Sequence, residues 1–197
     1  MKNFFKNLGA LIVLAVFVFT SCRKEDNIKI PKDVHDHDEI EYLSVSLTDL
    51  MDNSIQKATF RAGGADKEII LKKDHEYQVN LSLESDHGDH RDDVTKEILA
   101  EKDEHFFVFR FAEVVVKVTR QDDATSTRKD GKKLGLKTKW TVISAPEPNA
   151  KVNIRLYHKP VEVNEHYYHH VKDSQYNDEA GSVKGGEEDI DATFDIK

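Results

Sequence analysis

The chain has 197 residues, enough for one domain with a short extension. Acids outnumber bases 37 to 29, and the formal charge of −8 argues against a nucleic-acid binder, which needs a basic face, while favouring cationic ligands. The single cysteine excludes disulfide frameworks and cysteine-based zinc fingers.

The first residues read as an address. Lys2 and Lys6 form a basic start, and the apolar run Leu8–Phe19 is shorter than a bilayer-spanning helix but suits a signal-peptide core. Phe19-Thr20-Ser21-Cys22 resembles the lipobox of bacterial lipoproteins, which predicts a signal peptide over 1–21 and lipidation of Cys22. Arg23-Lys24-Glu25-Asp26 resembles the surface-export signal of Bacteroidetes lipoproteins and implies an outer-membrane protein anchored at the cell surface. Residues 22–38, charged and nearly free of apolar side chains, are expected to form a tether, with the folded domain over 39–197.

Within that domain, Leu43, Val45 and Leu47 alternate with Ser44 and Ser46, the pattern of a half-buried strand. Residues 58–61 and 69–71 suggest two more strands, separated by a turn at Gly63-Gly64. Tyr77, Val79, Leu81 and Leu83 alternate again. A short helix is expected within 91–104, capped by Asp92 or Asp93, with Val94 and Ile98 on its buried face. Further strands are expected at 106–111, 114–118, 136–144, 152–157 and 190–196, and residues 159–186 read as a long polar loop. Strands this short and this closely spaced predict a mostly β fold, a single antiparallel β-sandwich or barrel-like domain with one short helix. Trp140 and Phe106-Phe107-Val108-Phe109 read as core.

Several segments in order, among them Asp93–Ile98, Asp103–Phe107, Leu134–Trp140, Ile154–Pro160 and Gly185–Phe194, resemble a family of small Bacteroidetes outer-membrane lipoproteins of uncertain function. Members sometimes carry the label of a type 1 periplasmic-binding fold. That fold needs two α/β lobes, which about 175 residues with one helix do not build. The resemblance implies no enzymatic activity, and it implies association with TonB-dependent outer-membrane receptors.

Histidine carries the chemical signal, with ten in the chain. His35, His37, Glu39 and Glu41 fall two apart, on one face of an extended chain. His87 and His90 flank Gly88-Asp89, and His166, His169 and His170 follow Glu165. His105 lies just after the expected helix and His158 at a strand end, where a structural hydrogen bond is the competing explanation. Imidazole nitrogen beside carboxylate oxygen suits zinc, so the candidate metal ligands are His35, His37, Glu39, His87, His90, His105, His158, His166, His169 and His170. The expected function is non-enzymatic capture of a divalent metal, zinc foremost, and its transfer to a TonB-dependent receptor. A haem-binding surface protein and an adhesion or assembly module are the alternatives.

Overall fold

The computed structural model describes residues 39–169, 176 and 178–197; the signal, Cys22 and the tether lie outside them. The fold is an antiparallel β-sandwich, as the alternation predicts. The first sheet contains β1 (Tyr42–Asp49), β2 (Ile55–Arg61), β3 (Gly64–Ala65), β4 (Glu76–Asp86), β5 (Arg91–Asp93), β7 (Val116–Arg120) and β8 (Lys137–Val142). Its order is β3-β2-β1-β4-β8-β7, with β5 pairing the end of β4. The second sheet contains β6 (His105–Ala112), β9 (Lys151–His158), β10 (Glu162–His169), β11 (Asp178–Lys184) and β12 (Glu187–Asp195), in the order β10-β11-β6-β9-β12.

One apolar core joins the two sheets. Leu43, Val45, Leu47, Val79 and Leu83 of the first face Phe107, Phe109, Phe111, Ile154 and Leu156 of the second, all fully buried. Trp140 on β8 meets Phe109 and Phe111 on β6 edge-to-face, at 6.2 and 5.1 Å between ring centroids. Edge-to-face contact sets the positive ring edge against the negative ring face and adds to the burial of these large side chains.

Three sequence expectations need correction. Within the expected loop 159–186, the described residues Glu162–His169 and Asp178–Lys184 are strands, β10 and β11, paired antiparallel. Strand β10 is a sheet edge exposed along much of its length, so it carries no alternation, and β11 buries Asp178, Ala180 and Gly181, residues that read as turn chemistry. Ile69–Leu71 makes only an isolated parallel bridge, Ile69 to Ile196, instead of a strand. The helix α1 (Thr95–Ala100) is shorter than expected. Its N-cap is Val94, with no side-chain cap, although Asp93 accepts the Thr95 amide at 3.0 Å. Val94 and Ile98 are buried as expected.

Arg120, the last residue of β7, clips the layers together. Its guanidinium is buried and donates to the carbonyls of Leu134 (2.8 Å), Lys133 (3.3 Å), Phe107 (2.6 Å) and Ala180 (3.5 Å). It also lies 4.2 Å from the centre of the Phe106 ring, a cation–π contact. Burial pulls its pKa down to about 10, so it keeps its charge at neutral pH. Two residues on, Asp122 accepts the amides of Gly135 (2.9 Å) and Leu136 (3.0 Å). Arginine and aspartate thus take the carbonyls and the amides of the same segment. Space for the guanidinium exists because Gly135 and Gly181 lack side chains: a Cβ there would lie 2.2 and 2.4 Å from the Arg120 nitrogens. Both glycines hold positive φ, +102° and +90°, which a side chain would strain.

Arg120→Met removes four hydrogen bonds to backbone carbonyls, three of them buried, and urea unfolding should show a loss of about 3 kcal/mol or more. Gly181→Ala should cost about 2 kcal/mol by crowding the same guanidinium. A midpoint unchanged by either substitution would contradict the role given to Arg120.

Candidate metal centre

His105 and His158 are direct cross-strand partners, the first residue of β6 and the last of β9. Both are buried, and their rings stack at 4.7 Å between centroids and 4° between planes. Three carboxylates converge on the pair. Helix α1 ends at Glu101, and the next turn, closed by Glu104 N–H to Glu101 O at 2.8 Å, delivers Glu104 immediately before His105. Asp189 comes from β12 at the point where the register with β9 slips between Glu188 and Ile190. The extra residue of such a bulge is left unpaired in the ladder, which re-aims its side chain. Here that side chain reaches both imidazoles.

The distances are those of a ligand set. One ligand atom each from Glu101, His105 and His158 lies within 4.8 Å of the other two. His105 Nε2 is 3.5 Å from Asp189 Oδ2, His158 Nε2 is 3.5 Å from Glu104 Oε2, and His158 Nδ1 is 3.9 Å from Asp189 Oδ1. Zinc bonds of about 2.0–2.1 Å place tetrahedral neighbours about 3.4 Å apart, close to the two shorter separations. His105 Nδ1 lies 3.0 Å from the Glu101 carbonyl. A carbonyl only accepts, so Nδ1 is the donor and, in a neutral ring, Nε2 keeps its lone pair. A carbonyl or carboxylate behind the far nitrogen is the usual way a metal-binding histidine is oriented. Charge favours a cation as well, since the three carboxylates are offset at the site by Lys159, whose Nζ is 3.5 Å from Glu104. Arg128 braces the backbone by donating to the His105 carbonyl at 2.7 Å.

The other candidate ligands are distributed differently. His35, His37 and His170 lie outside the described residues. Glu39 is exposed, three residues before the start of β1. The hairpin between β4 and β5 brings His87 and His90 together, with ring centroids 5.5 Å apart. His166 is exposed on β10 and packs against Tyr168 at 6.2 Å. His169 does not join it, because Nδ1 of His169 faces the fully buried Asp178 at 2.5 Å. Among the described residues, the third histidine cluster is therefore divided between solvent and a contact with Asp178.

Glu101, Glu104 and Asp189 escaped the sequence reading. The first two were legible, since Glu101-x-x-Glu104-His105 puts two acids and a histidine on one turn. Asp189 depends on the bulge. Comparison with protein-family models, curated proteins and solved structures finds no significant match in any of the three.

Long-range proton–nitrogen spectra of the metal-free protein, at a pH where the ring is neutral, should show His105 protonated at Nδ1 and bare at Nε2. The opposite tautomer would remove the lone pair that faces Asp189 and contradict the ligand arrangement.

Proposed function

We propose that this protein binds a divalent metal, zinc foremost, at Glu101, His105 and His158, and that it does so without catalysis, as a lipid-anchored protein of the outer cell surface. The convergence of these three side chains at one end of the second sheet carries the reading. Two imidazoles with carboxylates form a borderline donor set, suited to zinc and less so to calcium or magnesium, which take oxygen alone. Glu104 and Asp189 complete or orient the set. Anchoring rests on the lipobox-like Cys22, and transfer of the ion to a TonB-dependent receptor rests on the family resemblance. A bare ion fits the histidine pair better than haem does. Axial haem ligands occupy opposite faces of the macrocycle, whereas rings stacked at 4.7 Å leave no room for it between them.

Zinc titration of the full chain by calorimetry, in detergent, tests the reading. Binding at about micromolar Kd or tighter is expected. His105→Ala/His158→Ala should abolish the tightest binding, and Asp189→Asn should weaken it by about 10-fold or more. Circular dichroism separates loss of ligands from loss of fold. Tight binding that survives in a folded double variant would overturn the assignment.

A further inference from the structure

The hairpin joining β4 to β5 holds a second constellation, apart from the buried pair. Its tip is closed by the His87 amide donating to the His90 carbonyl at 3.0 Å, with Gly88 at φ +83°. Asp86 anchors its base. One carboxylate oxygen of Asp86 accepts the Gly88 amide at 2.8 Å, and the other accepts the Tyr42 hydroxyl at 2.8 Å and the Arg61 guanidinium at 3.3 Å. On this frame, His87 Nε2 and His90 Nε2 lie 3.4 and 3.5 Å from the same oxygen, Oδ2 of Asp92.

We propose that His87, His90 and Asp92 form a second divalent-metal site, open to solvent and of the same borderline class as the buried one. Both separations from Asp92 are close to the edge of a zinc tetrahedron, about 3.4 Å, and a turn of the two exposed rings is needed to bring their nitrogens equally close to each other. The ring of His90 is set for ligation: its Nδ1 lies 2.6 Å from Asp89 Oδ1, and an ionised carboxylate only accepts. Nδ1–H therefore points to Asp89, and in a neutral ring Nε2 turns its lone pair toward Asp92. Asp89 does for His90 what the Glu101 carbonyl does for His105. His87 Nε2 also lies 3.3 Å from Ser85 Oγ, a hydroxyl able to donate to the nitrogen until a cation replaces it.

The two sites differ in access. His87, His90 and Asp92 have side chains 38%, 58% and 51% exposed, against 1% and 5% for His105 and His158. Three protein ligands on an exposed hairpin leave the remaining positions to water, so this site binds more weakly and exchanges faster. The inference borrows only the choice of cation from the proposed function, and each stands or falls separately.

Zinc titration of the full chain, of His87→Ala/His90→Ala and of His105→Ala/His158→Ala distinguishes the two. The hairpin substitutions should remove one equivalent of the weaker class, lower its affinity at least tenfold and leave the tight class intact. The buried-pair substitutions should do the reverse. Asp92→Asn, which keeps the hairpin's shape, should also weaken the exposed site. Unchanged stoichiometry and affinity in His87→Ala/His90→Ala would overturn this inference and leave the buried site standing. Loss confined to the hairpin variant would sustain it and overturn the buried site. A parent chain that binds no zinc would sink both.

Discussion

A buried guanidinium with carbonyls as its hydrogen-bond partners organises this sandwich. Taking an arginine out of water is costly unless each polar contact is replaced. Arg120 does this at its two terminal nitrogens, with oxygens from β6, β11 and the 133–134 segment, and stacks near the face of Phe106, while its Nε is buried without a hydrogen-bond partner. A hydrophobic core alone tolerates sliding between sheets. Directional bonds from one rigid fork do not, so Arg120 sets how β7 of the first sheet lies against β6 and β11 of the second. The Phe107 carbonyl that it grips is two residues from His105, and so the same interaction fixes the strand that carries half of the histidine pair.

From that fixed strand the candidate metal centre follows by register. Pairing of β6 with β9 puts His105 opposite His158, and pairing of β9 with β12 brings Glu187 beside His158, so that the bulged residue two positions on is Asp189. Helix α1 crosses between the sheets over its buried Val94 and Ile98, and it ends where Glu101 meets the rings. Each element contributes its acid or imidazole at an end or an irregularity, where side chains are released from the alternation of the pleat. The buried pair and the exposed hairpin share one device, a backbone or carboxylate oxygen behind the far imidazole nitrogen. They differ in how much water reaches the near nitrogen.

Much of this was legible in the chain. Period-two alternation located β1, β4 and β12, which turn one face to the core, and runs rich in aromatic and β-branched residues located β6, β8 and β9. It failed for β10 and β11. An edge strand needs no apolar face, and β11 uses Ala180 and Gly181 to leave room for Phe106 and Arg120, so both strands look like loop. Histidine spacing identified His87 and His90 as neighbours, since a hairpin turn is a local event. The same spacing grouped His166 with His169, which the structure separates by turning His169 toward Asp178.

The sequence by itself determined the class of fold, the core strands, the acidic character and the residue types able to hold a cation, because alternation, charge and donor chemistry are local properties of the chain. Only the tertiary structure decided which histidines come together as a candidate centre. His105 and His158 are distant in sequence, and what joins them to each other and to Asp189 is strand register, which the packing of two sheets around Arg120 imposes and which local patterning does not encode.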